Sequence, residues 1–450
     1  MNAPLPPSSL HPSAPRVAVV GSGIAGLMAA YRLRQHAHVT LLEAASMFGG
    51  HSHTVDVTLP DAQGAVVTHG VDTGFLVMNP RTYPGMLGLL DELGVDVAPS
   101  EMSFSVQVPQ AGPHGRTLEW SGHNLGSVFV QPRNALRPRF WSMLRDILRF
   151  NRLASALATA PQADPALSMP LGQWLQNERF GQPFVQWYLL PMLGCIWSCP
   201  TQQMLAFPVA TLVHFAHNHN LLQISNRPQW LTVRGGSRRY VERMVATLQD
   251  ARTNWPVQRI TRHADEVRVY GRGKYEVFDY VVLACHSDQA LAMLEHPSSL
   301  ERRVLGAIGY QPNRAVLHTD TSVLPKAQAA WAAWNYHASG PEQAQPRVCL
   351  HYLINRLQPL PFAQPVVVSL NPHGPIESQH VLAELDYAHP IFDQAAIAAQ
   401  PSVAEIQGLH RTFFAGAWTG YGFHEDGMQS GARAAQALLQ WHAQAIPTLA

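Results

Sequence analysis

Residues 16–35 read RVAVVGSGIAGLMAAYRLRQ: an apolar run, a turn made of Gly21, Ser22, Gly23, Ile24, Ala25 and Gly26, and then apolar residues at helical spacing. A buried strand, a glycine turn and a helix in that order form the first unit of a dinucleotide-binding fold. Gly21 lets the chain leave the strand, Gly23 leaves room for a pyrophosphate, and Gly26 lets the helix approach the sheet. The pyrophosphate would rest on the helix N-terminus, where unpaired N–H groups and about half a unit of positive dipole charge favour an anion. The next apolar stretch, HVTLLEA, runs through Glu43 and Ala44. Glu43 lies 22 positions beyond Gly21, the distance that brings an acid to the adenosine ribose hydroxyls.

Beyond it, AASMFGGHSHT holds a second glycine pair, Gly49 and Gly50, which a plain nicotinamide enzyme does not need. VDVTLP and VDTGFLVMN read as strands; from Tyr83 to about Arg227 the pattern turns mostly helical and aromatic. Nucleotide-domain character returns with RGGSRRYVERMVATL and with the three strand-like runs of PVQRITRHADEVRVYGRGKYEVFDYVVLACH, in which GRGK is a hairpin turn and YVVLAC a central strand. The chain closes with RTFFAGAWTGYGFHEDGMQSGARAAQALLQW, a buried strand, a glycine-rich loop and a long helix. The expected organisation is a tail over 1–15, cofactor-binding segments over 16–80, 229–290 and 406–445, a helical substrate segment over 81–228 and a second substrate segment over 291–405.

Composition bounds the class. With 450 residues, 46% hydrophobic and only 14% charged, much of the chain must be buried or line an apolar cavity. A net charge of +1 steers nothing toward nucleic acid. Four cysteines are too few for a disulfide framework, and the first 15 residues lack the basic start and apolar core of a signal peptide, so a cytoplasmic location is expected. Cys195 and Cys199 read as buried core thiols, and His214, His217 and His219 as solvated or capping histidines, so no metal site is expected.

With these motifs in hand, the chain resembles the flavin-containing amine oxidase superfamily over about Arg16 to Leu439. It is most similar to a bacterial group linked to cyclopropane fatty-acid synthases and to the oxidase module ahead of the plant cyclopropane synthases. VDTGFLVMNPRTYP, RPQWLTVRGGSRRYV, LHTD, WNY, INRLQ, SLNP and GFHEDGMQSG carry the resemblance. It implies an α/β fold: a Rossmann-like FAD-binding domain of the GR2 type, assembled from three segments, with an inserted α+β substrate domain. It implies FAD as cofactor, with Gly21, Ser22, Gly23 and Gly26 at the pyrophosphate, Glu43 at the ribose and Val257 meeting the adenine by its backbone. Gly49, Gly50 and His51 would line the phosphates and flavin, and Gly416, Gly427 and Met428 the pyrimidine edge. Two positions depart from the pattern: His51 stands where an arginine is usual, and Trp418 where an acid is usual.

The superfamily's amine oxidases use a lysine near the flavin, whereas this chain has two lysines, Lys274 in the GRGK turn and Lys326 after Pro325, neither placed to face it. Glu425 and Asp426 read as helix caps rather than anchors for a cationic amine. His51, His53, Tyr352, Tyr421 and His424 fall in segments expected near the flavin and are the candidates for proton transfer. Trp174, Phe184, Trp187, Tyr188 and Trp197 fit either an apolar slot or an ordinary core. RPRFWSMLRDILRFNRLASALA, residues 137–158, is a basic amphipathic helix that fits peripheral contact with the inner membrane surface as well as it fits a cover for the substrate domain. The expected activity is FAD-dependent oxidation or double-bond isomerisation of fatty-acyl chains, with a cyclopropane synthase-like methyltransferase as partner. Oxidation of small amines, and a flavin-stabilised lipid-binding partner without turnover, are the alternatives.

Overall fold

The computed structural model describes residues 13–161, 163–197, 201–223, 228–338 and 348–445; the first twelve residues of the expected tail, Cys199 and Arg227 lie outside them. Val17–Val20 and Val281–Leu283 carry no polar side chain, so they are stable only with both faces covered. They lie in the middle of a five-stranded parallel sheet. Its strands are β1 (Arg16–Val20), β2 (His38–Leu42), β3 (Asp250–Arg252), β4 (Tyr280–Leu283) and β5 (Thr412–Phe414), in the spatial order β5-β4-β1-β2-β3. Val17 pairs with Val39 on one side and Tyr280 on the other, so three distant stretches of chain build one sheet.

Alternation along the strands decides what covers each face. Val17, Val19, Leu41, Val282 and Phe413 pack on α1 (Ile24–Leu33), α2 (Pro84–Glu92) and the C-terminal helix, His424–Ala445. Ala18, Val20, Leu42, Val281 and Leu283 pack on a three-stranded meander through Ile260, Val269 and Phe278. The meander's GRGK turn is a two-residue hairpin, with Arg272 and Gly273 both at positive φ, 52° and 75°, as a type I′ turn requires.

The inserted domain is built on a seven-stranded sheet in the order 381–391, 309–318, 367–370, 349–353, 334–337, 104–108, 118–121. All its pairings are antiparallel except that of 334–337 with 104–108. Helices led by α3 (Pro138–Ala158) and α4 (Val209–Asn218) close over it. The fold class inferred from the sequence is the one found.

The structure corrects the reading of local elements in three places. The stretch from Tyr83 to Arg227, read as mostly helical, also supplies the unexpected strands 97–100, 104–108 and 118–121. Residues 104–108, FSVQV, alternate with a period of two, the polar Ser105 and Gln107 sharing one side of the sheet: Ser105 Oγ donates to Asn335 Oδ1 at 2.7 Å and Gln107 Nε2 to the Val323 carbonyl at 3.0 Å. Of VDTGFLVMN only Val71 and Asp72 are strand. Past them the backbone folds onto the second glycine loop, the Phe75 N–H donating to the His51 carbonyl at 2.8 Å, so closely that a Cβ on Gly74 would lie 2.2 Å from that oxygen. Finally α2 belongs to the core of the cofactor domain, because Met86, Leu89 and Leu90 point there.

Asp72 fastens these parts together. Its buried carboxylate accepts from Thr54 Oγ1 (2.5 Å), from the Ser237 N–H (2.9 Å) and hydroxyl (2.8 Å), and from Gln358 Nε2 (2.7 Å). Burial raises its pKa to about 6 against the lowering effect of those donors. The folded state therefore binds the Asp72 proton more tightly than the unfolded chain, where the pKa is about 3.9. The stability this gives is full below about pH 4 and is lost as pH rises through about 6. Asp72→Ala strands several buried donors and is expected to cost about 3 kcal/mol. Asp72→Asn keeps most of the shape, and its deficit relative to wild type should shrink between pH 5 and pH 7.5 in denaturant titrations; a deficit independent of pH would show the carboxylate does not titrate in this range.

Candidate active site

The turn after β1 separates the roles of its glycines. Gly21 has a φ of +98°, and a Cβ there would lie 3.0 Å from the Ala284 carbonyl. A Cβ on Gly26 would lie 1.8 Å from the Gly21 carbonyl, so Gly26 is required for the helix to sit against the turn. Gly23 has an ordinary φ of −61° and caps α1 without a side chain, and a Cβ there meets nothing within 4 Å. Open space in front of Gly23, at the N-terminus of a helix, is what a pyrophosphate needs. Ile24 and Ala25 are buried in the core behind it.

Glu43 organises the loop that faces this space. Its Oε2 accepts from the Ser22 N–H (2.9 Å) and hydroxyl (2.6 Å), and its Oε1 from the Ala45 N–H (2.8 Å), while Ala44 stands exposed. Oε1 thus keeps capacity for a ribose hydroxyl. The Trp255 N–H donates to the Glu43 carbonyl at 2.8 Å, which brings Val257, at the start of the meander, to the same end of the sheet. The second glycine pair closes the other side: the Gly49 N–H donates to Ser22 Oγ at 3.1 Å, and a Cβ on Gly50 would lie 3.1 Å from the Gly23 Cα.

The C-terminal helix delivers a second N-terminus beside that of α1. A Cβ on Gly427 would lie 2.9 Å from Ile24 Cγ2, and Met428 is buried. Glu425 caps α2 rather than its own helix, accepting from the Gly85 (3.0 Å) and Met86 (2.9 Å) N–H groups. Asp426 accepts from the Tyr421 and Phe423 N–H groups at 3.1 and 3.0 Å, and burial raises its pKa to about 6. The Gly416 N–H donates to Ser430 Oγ at 2.9 Å. Trp418, which stands where an acid is usual among the cofactor-binding positions, is buried: its indole N–H donates to the Cys285 carbonyl at 3.3 Å and its ring occupies the space a Cβ on Gly416 would need.

Between these loops and the substrate domain lies a cluster of neutral rings. His51 stacks on Tyr387 with ring centroids 4.9 Å apart, and lies 5.3 Å from His389 and 6.5 Å from His286. Its buried Nε2 has no partner. Burial, and then repulsion from His389, His286, His424 and His53, hold its pKa well below the usual range, so His51 supplies no fixed positive charge. His424 stacks on Phe75 at 3.8 Å, its Nε2 is 2.7 Å from the Tyr240 hydroxyl, and burial lowers its pKa to about 3. His53 Nδ1 is 3.4 Å from the Tyr387 hydroxyl.

Of the five candidates for proton transfer, His51, His53 and His424 come together here. Tyr352 lies on the seven-stranded sheet, 5.3 Å from Trp334, and Tyr421 stands more than a third exposed on the loop before the C-terminal helix. Sequence reasoning passed over Tyr240, His286, Tyr387 and His389. His286 had a signal: it follows the carboxyl end of a central parallel strand, where such sheets bind ligands. Neither lysine is near: Lys274 Nζ pairs with Glu276 at 3.2 Å on the meander, and the Lys326 N–H donates to Glu119 in the substrate domain.

The expected histidine cap is found, His219 Nδ1 lying 3.0 Å from the Phe215 carbonyl at the end of α4. Cys195 is a buried thiol. The ligand atoms of His337, Cys349 and His351 lie within 4.8 Å of one another, a grouping the sequence did not suggest. Hydrogen bonding accounts for His351, whose Nδ1 is 2.6 Å from Ser369 Oγ and whose Nε2 is 3.5 Å from Cys349 Sγ.

The profile of flavin containing amine oxidoreductases matches residues 24–350. The chain belongs to that family. Among its relatives is AofH of Mycobacterium tuberculosis, which carries the name of a flavin-containing monoamine oxidase and is 26% identical over 339 residues. The match covers 72% of this chain and 66% of AofH, so the chain spans just under two thirds of that relative. Similar solved structures include cyclohexylamine oxidase from Brevibacterium oxydans IH-35A (TM-score 0.67, 15% identity, 96% of this chain and 100% of that one). Another is a CLA-producing fatty acid isomerase from P. acnes (TM-score 0.63, 17% identity, 95% and 98%). FAD is the cofactor of this flavin containing amine oxidoreductase, and the open space at Gly23, the remaining acceptor capacity of Glu43 Oε1 and the unpartnered His51 Nε2 fit it.

Gly23→Val should fold, because its side chain enters open space, yet lose bound FAD because that space is the pyrophosphate's. Full flavin absorbance in the purified variant would show that the turn does not hold the cofactor. A second expectation concerns acid. Burial lowers the His389 pKa to about 4, so the stability gained by keeping it neutral is present above about pH 6.5 and is lost as pH falls toward 4. His389→Gln should melt relatively closer to wild type at pH 5.5 than at 7.5, by about 1 kcal/mol; parallel pH profiles would contradict the shift.

Proposed function

We propose that the protein is an FAD-dependent oxidoreductase acting on unsaturated fatty-acyl chains, by dehydrogenation or by double-bond isomerisation. The observation that carries this is the chemistry of the site walls. Glu425 and Asp426 spend their carboxylates on backbone N–H groups, the lysines lie elsewhere, and His51, His286, His389 and His424 are held neutral. A wall of neutral rings suits an uncharged chain better than an ammonium ion, which would lose its hydration without a carboxylate in return. When bound, FAD supplies two-electron hydride acceptance. The protein's share is to bind and orient the chain, exclude water, and hold a proton at His424 Nε2 or the Tyr240 hydroxyl, 2.7 Å apart. An isolated alkyl C–H is a poor hydride donor, and so an allylic position is the expected reacting centre.

The fatty acid isomerase of similar fold supports an acyl substrate for this fold. AofH and cyclohexylamine oxidase support the second reading, oxidation of a small amine. The aromatic residues weighed as a slot do not choose between the two. Trp174, Phe184, Trp187 and Trp197 are buried within the substrate domain's core, with Phe184 5.7 Å from Tyr188 and Phe150 6.0 Å from Trp174, so that module is core rather than slot.

Anaerobic mixing with unsaturated acyl lipids should bleach the flavin if dehydrogenation is the reaction, or return a shifted double bond by mass spectrometry if isomerisation is. Benzylamine and spermine should leave it yellow. Rapid bleaching by an amine with every tested acyl lipid unchanged establishes the second reading. Lipid binding without either change fits a partner of a cyclopropane synthase-like methyltransferase.

A further inference from the structure

Nine large apolar side chains stand exposed among the described residues, and four of them, Leu125 (80%), Leu136 (86%), Trp141 (52%) and Leu148 (57%), lie within one short stretch of chain. Trp141, Arg145, Leu148 and Arg152 follow one another at spacings of four, three and four along α3, so they form a single stripe on its outer side. The opposite side of the helix, with Phe140, Met143, Phe150 and Ala154, is buried in the substrate domain. Leu125 belongs to the short helix Leu125–Val128, whose capping residue Phe129 lies 5.5 Å from the Trp141 ring.

The arginines divide in the same way. Arg137 donates to the Ala111 carbonyl at 2.6 Å, Arg139 lies over the Trp187 ring, and Arg149 pairs with Glu178 at 3.2 Å, so these three fasten the helix to the domain. Arg133, in the turn that leads into α3, and Arg145 and Arg152, within the stripe, are exposed. From residue 120 to 163 the one acidic residue is Asp146, which is buried and accepts from the Gly181 N–H at 3.0 Å, with Arg145 Nε 3.9 Å from its other oxygen. No helix among the described residues is long and apolar enough to cross a membrane.

We propose that this face docks the protein onto an anionic lipid bilayer, α3 lying along the interface with Trp141 and Leu148 inserted and Arg133, Arg145 and Arg152 among the headgroups. Charge selects the surface, since an acid-free basic stripe is attracted to anionic phosphates within a Debye length. The apolar side chains select a bilayer over a nucleic acid, whose backbone offers nothing for an exposed leucine. The Trp141 indole N–H already donates to the Ala135 carbonyl at 2.7 Å, so the ring enters the interface without a stranded donor. This inference rests on the surface alone and holds whether the substrate is an acyl chain or an amine.

The test is co-sedimentation of the FAD-loaded full chain with vesicles of phosphatidylcholine alone or with added phosphatidylglycerol. Wild type should bind the phosphatidylglycerol vesicles and leave them at high salt. Arg133→Glu with Arg145→Glu and Arg152→Glu should weaken binding on the order of a hundredfold or more. Trp141→Ser with Leu148→Ser should weaken it roughly tenfold or more at unchanged charge. Both variants should keep wild-type flavin absorbance and melting. Equal sedimentation of wild type and the arginine variant would overturn the proposal. So would full vesicle binding by the Trp141 and Leu148 variant, or tighter binding of wild type to duplex DNA than to vesicles.

Discussion

One buried carboxylate sets the geometry on which the site depends. Asp72 joins the end of a hairpin, the glycine turn before the helix Arg238–Val245, and the Gln358 side chain from the substrate domain. Ser237 is the residue just before that helix, and Tyr240, one turn in, puts its hydroxyl on His424. A carboxylate outside the ring cluster thus fixes the start of a helix whose tyrosine reaches into that cluster. Low local dielectric makes such a satisfied network rigid and an incomplete one costly.

The elements legible from the sequence are those whose physics is local. Gly21, Gly23 and Gly26 announce a strand, a turn and a helix because their spacing within six residues is itself the motif, and the positive φ of Gly21 and the Gly26 approach to the Gly21 carbonyl are set within it. The type I′ hairpin at Arg272 and Gly273 and the closing strand, loop and helix are local in the same sense. The strands at 104–108 and 118–121 pair locally with each other, but the neighbour that ties 104–108 into the sheet is 334–337, more than 200 positions away, so their place in it could not be read from their own stretch. The site divides likewise. The cofactor turn could be read directly, whereas the ring cluster depends on Tyr387 and His389, brought back to His51 by a strand of the second substrate segment. Trp418, an indole where the resemblance leads one to expect an acid, is buried against Gly416, a packing that no local pattern announces.

The neutral histidines give the site a character distinct from one lined by arginine or lysine. Stacked imidazoles and phenols bring no net charge, accept a proton only at acid pH, and offer edges and faces to a flat or extended apolar ligand. Fixed positive potential near the glycine turn is available from helix N-termini. The structure places two of them side by side, those of α1 and of the C-terminal helix, in contact through Ile24 and Gly427.

The parallel sheet has a further consequence for how the chain reaches its native state. β1 is in place from residue 16, but its neighbour β4 arrives with residue 280 and the edge strand β5 with residue 412. During synthesis the first βαβ unit must therefore wait, one flank of its central strand unpaired, until most of the chain has left the ribosome. Long-range parallel pairing of this kind is slow and exposes apolar edges to aggregation in the interval. The open turn at Gly23 sits on that waiting unit, so a nucleotide arriving late in synthesis would meet a binding loop already formed and a sheet still lacking its last strand.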